Sequence, residues 1–197
     1  MKHWHYVVCL LTLLIAPGFV AAGQVTWTNT SGGTWGTGSN WSTSSVPTAT
    51  DTVEIALGST FTVTLDESAS VAALTIGTAA GTQTLVLSVS ANTLTVSGKV
   101  TIGANGVVEL YNSTINATTV DNQGLIELES TGKLLSAVDN NGKLVVILGG
   151  NRITGPLTNA VGDTVILGGG TSYGGDLTVD SMFTNLGVVE LTNASGS

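Results

Sequence analysis

Hydrophobic residues in the middle of the chain recur in short alternating runs, each of which follows a glycine. The second and fourth residues after Gly106, Gly124 and Gly142 are aliphatic in every case. These pairs are Val108 and Leu110, Ile126 and Leu128, and Leu144 and Val146. Alternation with a period of two predicts half-buried β-strands. The repeated spacing of 18 residues predicts that each strand lies one coil further along a solenoid.

An asparagine stands one or two places before each of these glycines, where a turn must let the next strand begin. We predict that asparagines at equivalent turns stack as a ladder in which each amide bonds the next. The predicted ladder and its glycines are Asn105, Gly106, Asn122, Gly124, Asn140, Gly142, Asn159, Asn185 and Gly187. We interpret the ladder as structural, because buried turn amides that bond one another are already satisfied.

The fold predicted from these patterns is all-β, a right-handed parallel β-helix with a Trp-rich N-terminal cap. A left-handed coil would carry an aliphatic residue at every sixth position, and the residues between Gly106 and Gly124 do not. The last run, with Val189 and Leu191, matches the repeat, and no closing helix follows it. An uncapped solenoid exposes strand edges, so we expect the coils to continue in a longer chain.

Three segments are predicted along the chain. Residues 1–22 resemble a signal peptide, with a basic start, a short apolar run and small residues before a cleavage site after Ala22. Residues 23–45 form the N-terminal cap segment, and residues 46–197 form the β-helix coils as one domain. The protein is therefore expected to be secreted or attached to a bacterial cell surface, with no membrane span after cleavage.

Loss of the signal segment changes the chemistry that the chain can perform. It removes the one cysteine, Cys9, and both histidines, His3 and His5. Disulfides, thiolate or imidazole metal sites, and Ser-His or Cys-His catalysis are then excluded. Lys2 is also lost, which leaves four basic residues against 13 acidic ones. This acidic balance argues against nucleic acid as a partner.

The cap segment contains Trp27, Trp35 and Trp41 in a chain with few other large aromatic residues. The end coil of a solenoid must cover its core, and large apolar side chains suit that role. Tryptophan faces also stack on pyranose rings, so the same three residues are candidate glycan contacts. We favour capping, and the sugar platform remains the alternative.

A set of ordered motifs extends from the cap into the first coils. It comprises Asn40-Trp41-Ser42, Val46-Pro47, Asp51, Val53, Ile55, Gly58, Val63, Leu65, Asp66, Leu74 and Ile76. In this order and spacing the segment resembles the G8-type segment, and it is similar to the Trp-led openings of autotransporter and haemagglutinin-like passengers. The resemblance covers about residues 27–76 and implies a right-handed β-helix in a surface or secreted protein. It implies no catalytic residue.

Acidic residues provide the remaining candidate chemistry. Glu109, Glu127 and Glu190 stand at the third position after a glycine and are expected to point outward. If one coil takes 18 residues, Glu109 and Glu127 stack at the strand spacing of about 4.8 Å and attract a cation. We favour a solvated outer face instead, because Val145 interrupts the row. No metal or cofactor is predicted.

Catalytic candidates are few. Arg152 is the only arginine and stands in a turn-like context without an acidic cluster, unlike the basic residue of a β-helix polysaccharide lyase. The pairs Asp66/Glu67 and Asp176/Asp180 supply carboxylates but no glycosidase signature. We therefore predict that the chain is not an enzyme.

The leading functional hypothesis is a structural, adhesin-like module that contacts glycans, a host surface or matrix and is part of a longer chain. Its binding function is expected in the cap or in the glycine-rich insertions after Gly149. The alternative is the N-terminal part of a lyase or glycosidase whose active residues lie near Arg152 or beyond Ser197. A weaker alternative is an ice-binding face built from Thr62/Thr64 and Thr93/Thr95.

Overall fold

Two parallel sheets wound from one chain form a β-solenoid. The structure is a computed structural model that describes residues 23–88, 91–168 and 174–192. Within these ranges the single helical segment is the 3₁₀ turn Gly38–Asn40, and no helix there is long and apolar enough to cross a membrane. The predicted parallel β-solenoid is confirmed, and the sense of the coil stays a prediction. The predicted signal segment, residues 1–22, lies outside the described residues.

Each coil crosses sheet 1 and then sheet 2. Sheet 1 has 11 strands: β1 (Gln24–Thr26), β3 (Thr52–Ile55), β5 (Ala69–Val71), β6 (Ala73–Ile76), β8 (Thr93–Ile102), β10 (Thr114–Asn122), β12 (Lys133–Asn140), β14 (Asn151–Ile153), β15 (Leu157–Asn159), β17 (Leu177–Val179) and β18 (Phe183–Asn185). Sheet 2 has eight strands: β2 (Gly33–Thr34), β4 (Phe61–Thr64), β7 (Gln83–Leu87), β9 (Gly106–Tyr111), β11 (Leu125–Glu129), β13 (Lys143–Ile147), β16 (Thr164–Gly168) and β19 (Val188–Thr192).

The side of the coil that belongs to sheet 1 is bent. Two short strands in one coil, β5 and β6, both pair with the single long strand β8 of the next coil. The short strands β14 and β15 likewise both pair with β12. The register of β10 shifts against both of its neighbours near Ala117, at the same bend. The long strands therefore continue through this bend, whereas in other coils the strand is interrupted there and forms two short strands.

Aliphatic side chains stack in columns between the two sheets. One column in sheet 2 comprises Val63, Leu85, Val108, Ile126, Leu144, Val165 and Val189. The residues predicted to face inward from β9, β11 and β13 are buried, so the predicted strand polarity is confirmed. Burial of each such side chain contributes about 1.5–3 kcal/mol, and a column repeats that contribution in every coil.

The tight corner from sheet 1 into sheet 2 explains the repeated glycines. A Cβ on Gly124 would lie 2.3 Å from the carbonyl oxygen of Gly106, and one on Gly142 would lie 2.5 Å from that of Gly124. Glycine is thus required because the backbone of one coil lies directly on the corner of the previous coil. In the next coil this position is taken by Asp163, and Gly162 precedes it by one residue.

The segment 23–45 is itself the first coil. Its strand β1 pairs with β3, and its strand β2 pairs with β4, both in parallel register. A bridge between Trp27 and Trp41 then folds the segment back on itself. The N-terminal end of the solenoid is therefore closed by residues that also begin both sheets.

Candidate functional site

A groove of about 380 Å³ lies on the outer face of sheet 2. We call it the acidic groove, and it is lined by Val86, Ser88, Glu109, Leu110, Tyr111, Glu127 and Glu129. The inward positions of β9 and β11 alternate with outward ones, so the glutamates project away from the core. Glu127 lies in register beside Glu109, and Glu129 lies in register beside Tyr111.

The stacking of Glu109 and Glu127 is the arrangement that the 18-residue spacing predicts. The row does not extend further, because Val86 precedes Glu109 in the register and Val145 follows Glu127. Glu190 lies on β19 beside Ile166 and takes no part in the groove. The carboxylates are thus concentrated on two neighbouring strands.

The surroundings of Glu127 disfavour ionisation of its carboxyl group. Partial burial raises the pKa of its carboxyl group, and the nearby charges of Glu109 and Glu129 raise it further. Lys143 opposes that rise in pKa. Since burial and like charges both disfavour the ionised form, Glu127 retains a proton to higher pH than an isolated glutamate does.

Tyr111 adds an exposed aromatic ring to the acidic groove, with 45% of the residue accessible to solvent. An aromatic face beside carboxylate acceptors suits a polyhydroxylated ligand, which offers C–H faces for stacking and hydroxyl groups for donation. Among the described residues, no three His, Cys, Asp or Glu side chains form a group that could hold a metal ion.

Sequence reasoning missed Tyr111 and Glu129 as members of a site. The signal was present, since each stands at the fifth position after its coil's glycine, Gly106 or Gly124. Residues with the same offset from aligned glycines meet on neighbouring strands of a parallel solenoid. Carboxylates one coil apart lie side by side in the fold although 18 residues separate them in the sequence, as Glu109 and Glu127 show.

The three cap tryptophans are buried, which fits the favoured capping role and leaves the alternative of glycan contact without support from their exposure. Trp41 makes edge contacts with both of the others, at ring centroid distances of 4.9 Å to Trp27 and 4.8 Å to Trp35. Trp27 also stacks on Phe61 at 6.3 Å. Faces that pack on other rings are closed to a sugar, and the cluster instead covers the core of the first coil.

Four asparagines form a ladder at the corner between the sheets. Asn122 donates from Nδ2 to Oδ1 of Asn140 at 2.7 Å, and Asn140 donates in the same way to Asn159 at 2.7 Å. Asn159 then donates to Asn185 at 2.8 Å. Each of the three donors also bonds a backbone carbonyl of the next coil, that of Lys143, Thr164 or Val188.

Asn105 lies outside the ladder. Its side chain donates to the carbonyl oxygen of Ala79, and the residue in register with Asn122 is Ile102. Ile76 and Ile55 continue the same column toward the N-terminus. The column therefore changes from isoleucine to asparagine between β8 and β10.

The catalytic candidates take part in structural contacts. Arg152 on β14 donates from Nε to Asp180, which directly follows the neighbouring strand β17, at 2.7 Å. Asp66 accepts a hydrogen bond of 2.8 Å from the backbone of Gly36, and Asp176 accepts one from the backbone of Gly150. Most of the glycine-rich insertion, residues 169–173, lies outside the described residues.

The threonine pairs lie on two different sheets. Thr62 and Thr64 belong to β4 in sheet 2, whereas Thr93 and Thr95 belong to β8 in sheet 1. An ice-binding face requires one flat array, and these pairs do not form it. The ice-binding hypothesis stays a prediction, and these two threonine pairs do not support it.

Comparisons with protein-family models, with curated proteins and with solved structures find no match for this chain.

Proposed function

We propose that the chain is an adhesin-like structural module that binds glycan in the acidic groove and acts without catalysis. The observation that carries this proposal is the exposed ring of Tyr111 beside the stacked carboxylates Glu109 and Glu127. A glycan hydroxyl donates to a carboxylate, and an aromatic ring packs on the apolar face of the sugar. The solenoid holds these groups on paired strands, so they are positioned before the ligand arrives.

Support also comes from the sequence. The segment 1–22 has the composition of a signal peptide, and the Trp-led opening resembles those of surface passengers. A secreted or surface location would bring the groove into contact with host, matrix or microbial polysaccharide. The net charge of −8 favours neutral or cation-bearing glycans over sulfated or uronate polymers, which the glutamates would repel.

Binding of the purified chain to a glycan array, followed by calorimetry on the retained sugars, tests the proposal. We expect Tyr111→Ala to weaken the affinity about tenfold, because it removes a stacking contact. The matched control is Val161→Ala, which removes another exposed apolar side chain that does not line the acidic groove. Absence of any retained glycan, or equal affinities for both variants, would refute this function.

A second candidate function, hydrolysis of a glycosidic bond, is favoured by the raised pKa of Glu127 beside Glu109. Glu127 would donate a proton to the leaving oxygen, while the carboxyl group of Glu109 would act as base or nucleophile. Incubation with polysaccharide and assay of new reducing ends distinguishes this candidate from adhesion. Product release that Glu127→Gln abolishes would establish hydrolysis, and binding without product supports the adhesive module.

A further inference from the structure

We propose that Asn141 is a modification site, at which the folded protein converts this asparagine to aspartate or isoaspartate by spontaneous deamidation. Asn141 and Gly142 form the corner between strand β12 of sheet 1 and strand β13 of sheet 2. An asparagine followed by glycine is least hindered toward this reaction, because glycine has no side chain to obstruct the approach of its nitrogen. Neither residue lines the acidic groove, so the inference does not depend on glycan binding.

The reaction needs only water as a co-reactant. The backbone nitrogen of Gly142 loses its proton to solvent and attacks Cγ of Asn141, which closes a cyclic imide through a new N–Cγ bond. The Cγ–Nδ2 bond breaks, and Nδ2 takes up a proton from solvent and leaves as ammonia. Water then opens the imide at one of its two carbonyl groups. One opening gives aspartate, and the other gives isoaspartate, in which the backbone continues through the side-chain carbonyl.

The sequence contains two Asn-Gly pairs, and the other pair, Asn105 and Gly106, is held in place. Gly106 is buried, and its N–H donates to the carbonyl oxygen of Gly103 at 2.8 Å. The side-chain amide of Asn105 donates to the carbonyl oxygen of Ala79, also at 2.8 Å. A donated N–H must give up its hydrogen bond before it can be deprotonated. Asn105 is therefore expected to react slowly in the folded protein.

The reacting groups of Asn141 and Gly142 are more accessible. Asn141 is exposed, and Gly142 is half-buried. Within the described ranges no group accepts a hydrogen bond from the N–H of Gly142, whereas the N–H of Gly124, one coil earlier, donates to Oδ1 of Asn122 at 3.1 Å. The side chain of Asn141 bonds Asp121 at 3.1 Å on the exposed surface. Solvent can therefore reach both the nucleophile and the amide that it attacks.

Deamidation of Asn141 would change the charge at this corner. Asp121 accepts from Lys99 at Oδ2 and from Asn141 at Oδ1. The reaction replaces the second donor with a carboxylate that faces Asp121, and Asp139 already lies in register beside Asp121. Like charges on neighbouring strands destabilise a sheet. The modification therefore weakens the contact between these coils as the protein ages.

Peptide mass spectrometry during incubation of the folded full chain at neutral pH tests the site. We expect Asn141 to deamidate about tenfold faster than Asn105, since Asn105 must first release a hydrogen-bonded N–H from a buried glycine. In concentrated urea the two rates should become similar, because the unfolded chain holds neither pair. Asn141→Gln is the control variant, and it should remove the fast reaction while the rate at Asn105 stays the same.

Urea unfolding tests the consequence for the corner. Asn141→Asp should unfold at a lower urea concentration than Asn141→Ala, and since both variants lack the amide, the difference isolates the added charge. Equal midpoints would overturn the predicted weakening. Equal rates at both sites in the folded protein, a faster reaction at Asn105, or an Asn141 that stays intact while the unfolded chain is converted would overturn the assignment of the site.

Discussion

Asn122 donates a 2.7 Å hydrogen bond from its side-chain amide to the side-chain oxygen of Asn140, and both residues are fully buried. Polar side chains in a core are costly unless their hydrogen bonds are made. Here the amides donate to and accept from one another, and they also donate to backbone carbonyls of the next coil. The ladder thus fixes the register of each coil on its neighbour.

Asn140→Ala should destabilise the protein by about 2–4 kcal/mol. The substitution leaves Asn122 without its amide acceptor and Asn159 without its amide donor in a buried column. Urea unfolding followed by circular dichroism measures the change. The control Asn141→Ala removes an exposed amide whose one side-chain bond goes to Asp121, and it should change stability little. Similar losses for both variants would show that burial of the amide is not the cause.

Gly124→Ala should destabilise the protein by about 1–3 kcal/mol, because the new methyl group meets the carbonyl oxygen of Gly106. Gly58→Ala is the matched control, since a Cβ there meets no atom within 4 Å. That variant should keep or slightly raise the unfolding free energy, because alanine restricts the unfolded chain. Thermal melts of both variants measure the difference, and a stable Gly124→Ala would contradict the close approach of the two coils.

Glu127→Gln should raise the melting temperature at pH 7 by about 1–3 °C, since it removes a like-charge cross-strand pair with Glu109. Because the pKa of Glu127 is raised in the folded state, its ionisation costs stability as pH rises through that value. The advantage of the variant should therefore vanish below about pH 4. Melts across this range measure it, and Glu67→Gln, an exposed change outside the groove, should show no such gain.

Trp41→Ala should cost about 3–5 kcal/mol of stability, because it opens a cavity between Trp27 and Trp35 at the closed end of the solenoid. Tyr111→Ala is the comparison, as it removes an exposed aromatic ring and should have a small effect. Chemical unfolding of the two variants provides the measurement. A small loss for Trp41→Ala would mean that the tryptophans do not hold the first coil together.

The solenoid could be predicted because its strongest signal is local and repeated. The alternation at Val108 and Leu110 gives strand polarity directly, and its recurrence at Ile126 gives the stacking. The residue that occupies a given column at the corner between the sheets was harder to predict from the sequence. Asn122 precedes Gly124 by two residues, whereas Ile102, which occupies the same column, precedes Gly106 by four. This longer corner places Asn105 outside the ladder column.

The candidate site was predicted only in part. The equal offsets of Glu109 and Glu127 from their glycines predict that they stack. The spacing does not show that Ser88, just after β7, and Tyr111, at the end of β9, line the same groove. For the tryptophans, the sequence identifies the residues but not whether their rings are exposed. Composition identifies Trp27, Trp35 and Trp41 as special, and only packing decides whether their faces are open or closed.

The burial of the tryptophans at one end has a spectroscopic consequence. All four tryptophans of the chain fall within its first 41 residues, and the three in the described part lie in the first coil. Tryptophan emission therefore reports on the N-terminal end alone, whereas far-ultraviolet dichroism averages over every coil. A solenoid can fray from one end, since each coil contacts only its neighbours. Unfolding of β17, β18 and β19 would leave the tryptophan emission unchanged and would reduce the far-ultraviolet dichroism signal.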